Sequence, residues 1–193
     1  MVSTQDVVNE KIRSAFLKLL DDKTYKKITF KELATESGMT RQNLYYYYKS
    51  KEYVLEDIIE EFFDRLYDAM LEYSANRVET DEEEMGKALI RVMVEALKEN
   101  EEVARCFFSR DVNIIFINKS VGFLHRLLGR MIRLQHITVN DPKYIHYLAL
   151  QIAGACYLPL REWLLVDRDF PTDRIVELAY PMLEQIIQSL KNN

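Results

Sequence analysis

The side chains best suited to chemistry in this sequence form one run, Thr40-Arg41-Gln42-Asn43. Arginine pairs bidentately with guanine, glutamine and asparagine pair with adenine, and a threonine hydroxyl holds a phosphate. At the start of a helix, these are the types that read a DNA groove. Catalytic patterns do not match this. The residues three before His125, His136 and His146 are Gly122, Arg133 and Lys143, so no Glu-x-x-His di-iron motif occurs. There is no His-Glu-x-x-His, no zinc-type Cys/His spacing and no glycine-rich phosphate loop. Neither an enzyme nor a cofactor is expected.

A reading run needs a rigid support, and the segment from Phe30 to Tyr45 has the parts of a helix-turn-helix. Thr29 and Glu32 form a capping-box signature for a short helix through Ser37. Gly38 supplies the positive φ of a tight turn, and Thr40 caps a second helix to about Tyr48. Small Ala34 lets the two helices approach, while Leu33, Met39 and Leu44 fill the wedge between them. Before this pair, Val8, Ile12, Phe16 and Leu19 mark a helix from about Thr4 to Asp22. After it, Ser50 caps a long connector whose apolar doublets run from Val54/Leu55 to Met70/Leu71 in steps of four. Each step advances the stripe by about 40°, so the two ends of the connector face different neighbours.

The rest of the chain also reads as helices. The polar segment Arg77–Glu84 is the expected linker, with Thr80 and Glu83 box-capping a helix on Met85, Leu89, Val92, Met93 and Ala96. A short helix holds Val103, Phe107 and Phe108, and another spans about Val112 to Leu134. Asp141-Pro142 opens a helix to Val166, and Pro171-Thr172 opens the last. The expected fold is all-α: a three-helix N-terminal domain at 1–52, then a connector and helical bundle at 53–193, about nine helices in total.

Composition agrees. Only 5 Gly and 4 Pro occur in 193 residues, too few for the turns of a strand-rich fold. No apolar run is long enough to span a membrane, and the N-terminus lacks the apolar core of a signal peptide, so a cytoplasmic protein is expected. Cys106 and Cys156 sit in apolar stretches and read as buried thiols. The net charge of −5 hides an asymmetry: residues 1–55 carry 10 basic and 7 acidic side chains, residues 56–193 carry 16 and 24. A basic head on an acidic body is the charge layout of a nucleic-acid-binding module.

The stretch Leu44 to Leu55 resembles the signature of the TetR family of bacterial transcription regulators, through Leu44, Tyr45, Tyr47, Tyr48, Lys51, Glu52 and Leu55. The strong similarity covers about residues 10–60. Gly154 to Trp163 more weakly resembles the penultimate helix of some members. The resemblance implies that Tyr45, residue 47 and Lys51 contact phosphates, with Lys51 at a helix N-terminus that favours anions. Tyr47 stands where the family often has His. Tyr48 replaces a usual Phe, so its added hydroxyl needs a partner or an edge position. The candidate DNA contacts are thus Lys27, Thr29, Thr40, Arg41, Gln42, Asn43, Tyr45, Tyr46, Tyr47 and Lys51.

The expected partners are a palindromic double-stranded DNA operator, a second copy of the chain and a small-molecule effector. A single head makes few contacts, whereas a two-fold dimer sets two reading helices one DNA turn apart. The last two helices, about 143–191, are the expected dimer surface, with Ala149, Ala153 and Ala155 allowing close approach. The effector is expected to be hydrophobic or aromatic, in a cavity lined by residues drawn from Phe62, Met70, Met93, Phe107, Phe108, Phe116, Phe123, Met131, Tyr147, Gln151, Tyr157 and Trp163, foremost Phe62, Met93, Phe107, Phe116, Tyr147, Gln151, Tyr157 and Trp163. The expected function is a regulator, in the first instance a repressor. The rival is a helical ligand carrier or adaptor that never touches DNA, which explains the apolar body but leaves the Thr-Arg-Gln-Asn run and Lys51 without a purpose.

Overall fold

A computed structural model describes residues 4–75, 81–109 and 111–191. Among them the chain forms nine α-helices and no strand. These are α1 (Thr4–Asp22), α2 (Phe30–Glu36), α3 (Arg41–Tyr47), α4 (Lys51–Ala75), α5 (Glu82–Glu99), α6 (Glu101–Phe107), α7 (Asn113–Leu134), α8 (Pro142–Leu165) and α9 (Thr172–Lys191). A short 3-10 turn, Tyr25–Lys27, joins α1 to α2 and was not expected from periodicity.

One expectation needs correction. The expected linker Arg77–Glu84 ends earlier than read: Glu82, Glu83 and Glu84 form the first turn of α5, the helix that Glu83 was expected to help cap. Three carboxylates there face the positive end of the helix dipole, which favours helix over coil. Asp81 occupies the N-cap without a side-chain bond; Thr80, the cap first assigned, lies outside the described residues.

The three-helix head packs Ile12, Phe16, Leu33, Leu44 and Leu55 out of contact with solvent. As its rotating doublets require, α4 buries Val54 and Leu55 in the head, then Phe63, Leu66 and Met70 in the body. One apolar cluster therefore runs without a break from Ile12 to Tyr180. A second joins α7, α8 and α9 through Val121, Leu128, Leu148, Ala149, Ile152, Ile186 and Leu190. Along the surface, Lys119 bridges Glu56 at 3.3 Å and Glu60 at 3.1 Å, tying α7 to the connector.

Local closures show why the helices stop and cross where they do. A β-carbon on Gly86 would lie 2.6 Å from the Tyr180 ring, so the α5–α9 crossing depends on glycine there. His136 takes a positive φ of 52° at the end of α7, where Ile137 N–H bonds Ile132 O at 3.0 Å. Asp141 caps α8 by accepting from Lys143 N–H at 2.9 Å. His125 and His146 meet ring to ring, with nitrogens 3.1 Å apart, across α7 and α8.

The outer faces of α8 and α9 leave Tyr147, Leu150, Leu158 and Leu178 exposed. Ala149 and Ala153, expected on that face, are buried inside the chain instead. They sit one position from the exposed stripe, so the helical period turns them inward. The small residues that do face outward are Gly154 and Ala155.

Candidate nucleic-acid interface

The reading run depends first on the turn before it. Gly38 has φ +63°, Gly38 N–H bonds Thr35 O at 3.0 Å, and Met39 N–H bonds Ala34 O at 2.8 Å. This pair of bonds is a Schellman closure, and a β-carbon at Gly38 would be strained there. Upstream, the expected capping box is complete. Thr29 Oγ1 accepts from Glu32 N–H at 3.2 Å, and Glu32 Oε2 accepts from Thr29 N–H at 2.9 Å. Glu32 also receives the Lys23 ammonium at 2.8 Å.

The Lys23 bond, then those from Thr29, hold the Glu32 carboxyl down at about 2. Its folded value lies below the ordinary range, so its stabilising effect is full above about pH 4.5 and fades as pH falls towards 2. Glu32→Gln should therefore lower the urea midpoint at pH 6 while leaving it close to wild type at pH 2. An equal deficit at both values would remove the carboxylate from the cap.

On α3, Leu44 is fully buried and anchors the inner face. Arg41, Gln42 and Asn43 are exposed. Thr40 Oγ1 accepts from Asn43 N–H at 3.1 Å, which leaves its own hydroxyl hydrogen for an external acceptor. Tyr45 is 57% exposed, with its ring held against Phe30 at 4.7 Å; Tyr46 is 81% exposed and meets Tyr47 edge-on at 5.2 Å. Lys26, Lys27, Lys31, Arg41 and Lys49 are exposed and have no ion-pair partner among the described residues. The head thus exposes Arg41, Gln42 and Asn43, Tyr45 and Tyr46, and these cations at its surface.

Two expected contacts are placed differently. Thr29 already gives both its donors, N–H and O–H, to Glu32, so neither is free for a phosphate. The Lys51 ammonium points inward: it donates to Tyr25 O at 2.9 Å, Ile28 O at 2.8 Å and Lys26 O at 3.4 Å, and lies 4.4 Å over the Tyr25 ring. Tyr25 in turn donates to Glu52 at 3.0 Å. Lys51 therefore ties the 3-10 turn to the start of α4. The 3-10 turn itself was missing from the sequence reading, and with it the acceptors for Lys51.

Tyr48 has the partner its hydroxyl required. It is buried and donates to Asp57 on α4, and burial followed by that carboxylate raises its pKa. Arg13 also reaches Asp57, at 2.9 Å. Sequence reading overlooked Arg13, although Asp57 and Glu61, one turn apart on the connector, were a legible acidic pair awaiting a cation.

Inside the body, α4, α5, α7 and α8 enclose a cavity of about 60 Å³. Phe62, Met93, Phe116 and Tyr157 line it as expected, with Phe108 and Phe123. The other expected lining residues lie elsewhere. Phe107 packs behind Phe62 and Phe116, and Trp163 donates to Phe170 O at 2.9 Å to fasten the α8–α9 turn. Tyr147 and Gln151 are exposed beside a groove between α8 and α9. Met70 and Met131 are likewise outside the wall. Each of these faces a different side of its helix from the cavity, which spacing alone does not resolve. Cys156 joins the wall, its thiol pushed up to about 11 by burial; Cys106 is pushed up to about 12 by the same cause.

No group of three or more metal-ligating side chains occurs among the described residues, and no described helix is long and apolar enough to cross a membrane. Residues 12–58 match the family described as bacterial regulatory proteins, tetR family, a family of regulators and not of enzymes. An uncharacterised HTH-type transcriptional regulator in the dhlA 5' region of Xanthobacter autotrophicus is 27% identical over 103 residues, 53% of this chain and 51% of that protein. The chain spans about half or less of the length of the curated relatives it matches. Among solved structures, a protein of Syntrophomonas wolfei str. Goettingen assigned to the TetR-family regulators has a TM-score of 0.69 and 19% identity, over 93% of this chain and 94% of that one. Thermus thermophilus FadR, a TetR-family repressor in complex with lauroyl-CoA, has a TM-score of 0.66 and 16% identity, over 91% and 92%. These two likenesses are of fold.

Proposed function

We infer, for a chain that belongs through residues 12–58 to the tetR family of bacterial regulatory proteins, that it is a cytoplasmic transcriptional regulator, a repressor released by a small apolar effector. It binds a palindromic operator as a homodimer. The observation that carries this reading is the exposed Arg41-Gln42-Asn43 run on a short helix locked from behind by Leu44 and the Gly38 turn. In this reading Gln42 and Asn43 reach adenine edges, Arg41 reaches guanine, and Thr40, Tyr45, Tyr46, Tyr47 and Lys27 hold the backbone.

The exposed apolar residues of α8 and α9 support a dimer through those helices, with Gly154 and Ala155 allowing close approach. The cavity supports the effector, and its Phe, Leu, Ile and Met lining favours an apolar ligand with one polar point near Tyr157 or Ser120. At about 60 Å³ it is small, far below the ~300–1,000 Å³ of ligand-filled sites. A larger effector must therefore part α4 from α7 or α8, and it relieves repression by binding that parted form more tightly than the unparted one. Thermus thermophilus FadR is in complex with lauroyl-CoA, whose acyl chain is compatible with such a lining.

The test is salt-dependent binding to DNA selected from a random pool. Gln42→Ala with Asn43→Ala should cut the preference for the selected sequence over a scrambled one by about tenfold or more, since each bidentate base pair contributes ~1–3 kcal/mol. Lys27→Ala should weaken all sequences alike and reduce the salt slope by about one. A protein that enriches no sequence and binds no DNA at low salt is the carrier or adaptor instead.

A further inference from the structure

The corner between the reading helix and the connector is closed by a partly buried polar network. Tyr48, the C-cap of α3, donates its hydroxyl to Asp57, two turns into α4. Arg13 of α1 donates to the same carboxylate oxygen at 2.9 Å, reaches Glu10 at 2.7 Å, and places Nε 2.7 Å from Glu61. Tyr48 is buried and the Arg13 side chain is 17% exposed, while Asp57 keeps 37% of its side chain open to solvent, so the inner side of the network is sheltered and its carboxylate is half-buried. It joins three helices through one carboxylate, whereas the α3–α4 turn itself is only three residues long.

We propose that the Tyr48–Asp57–Arg13 network sets the angle of the reading helix against the connector, and so the half-site spacing that the dimer accepts. The proposal rests on the DNA-binding and dimer readings above. Helix α3 has 7 residues and is about 10 Å long. A rotation of about 10° at its Tyr48 end moves its base-reading start by roughly 1.8 Å. In a two-fold dimer, the two heads then change their separation by up to roughly 3.5 Å, close to the rise of one base pair. Apolar packing is non-directional and tolerates such a tilt. A hydroxyl shared with a carboxylate already fixed by arginine has a definite length and direction. Tyr48, Asp57 and Arg13 are positioning residues and touch no base.

The full-length wild-type protein is used to enrich a palindrome from a random DNA pool. Wild type, Tyr48→Phe and Asp57→Asn are then measured on that palindrome, on versions with one base pair added or removed between the half-sites, and on a single half-site. Tyr48→Phe keeps the ring and its packing volume, and should keep half-site affinity within about twofold. It should bind the enriched palindrome about tenfold more weakly, the scale of one hydrogen bond to a charged group, and accept the altered spacings almost as well. Asp57→Asn keeps the shape and should show the same flattened spacing profile, which covers the case of a poorly folded Tyr48→Phe. An unchanged spacing profile in both variants overturns the proposal. So does an equal loss on half-site and palindrome, which is the mark of a merely structural role. If wild type enriches no DNA, the DNA-binding reading fails and this proposal with it; if it does and the spacing profiles coincide, only this proposal fails.

Discussion

Phe116→Ala is expected to lower stability by about 3–5 kcal/mol, the usual loss for truncating a buried phenylalanine. Phe116 is stacked on Phe63 at 5.3 Å and on Phe107 at 5.2 Å, and touches Phe108 at 5.0 Å, so its ring supports three others. In a chain of this length the melting temperature should fall by roughly 6–20 °C. The gap would join the existing cavity of about 60 Å³ and bring it to the order of 150 Å³, a size that stays dry and admits benzene. Benzene should then raise the melting temperature of the variant and leave that of wild type nearly unchanged. A loss under about 1 kcal/mol with no benzene response would mean that the neighbouring rings collapse into the space. The small cavity would then be a poor precursor of an effector site.

Lys51→Met should cost about 2–3 kcal/mol. The ammonium satisfies carbonyls of the 3-10 turn, and a hydrogen bond to a charged group contributes about 1.5–3 kcal/mol. Its position over the Tyr25 ring adds about 0.5–1 kcal/mol, partly replaced by the packing of methionine. Chemical denaturation of the variant measures this loss. DNA affinity should also fall, because Lys26 and Lys27 lie on the turn that Lys51 holds. The informative contrast is with Lys27→Ala, which should weaken DNA binding without changing stability, since Lys27 is exposed and has no ion-pair partner among the described residues. If Lys51→Met left stability untouched and reduced only the salt slope, Lys51 would be a phosphate contact in solution and the inward bonds would be incidental.

Much of the head was legible because its signals are local. The Thr29 box, the positive φ at Gly38 and the Thr40 cap each involve residues within four positions, and each forms as read. Helix ends followed for the same reason, except where an acidic first turn looked like a linker. The cavity was half legible. Phe62, Met93, Phe116 and Tyr157 belong to it, but Phe107, Tyr147, Gln151 and Trp163 do not, although all are the right kind of residue. A single helix turns its aromatics through every direction, and only the packing of α4 against α7 and α8 selects which ones converge.

By itself the sequence determined an all-helical chain, a helix-turn-helix with the Arg41-Gln42-Asn43 run at the start of its second helix, and a rotating connector, since caps, turns and periodicity act over a few residues. Tertiary structure decided what each polar group does once the helices meet. It turned Lys51 from a presumed phosphate contact into a brace, engaged Thr29 in its own cap, and gave the Tyr48 hydroxyl a partner in Asp57. Buried hydrogen-bonding groups take the nearest partner that folding supplies. For Lys51 the separation from Tyr25 and Ile28 is 26 and 23 residues, and for Arg13 and Asp57 it is 44, distances over which periodicity is silent.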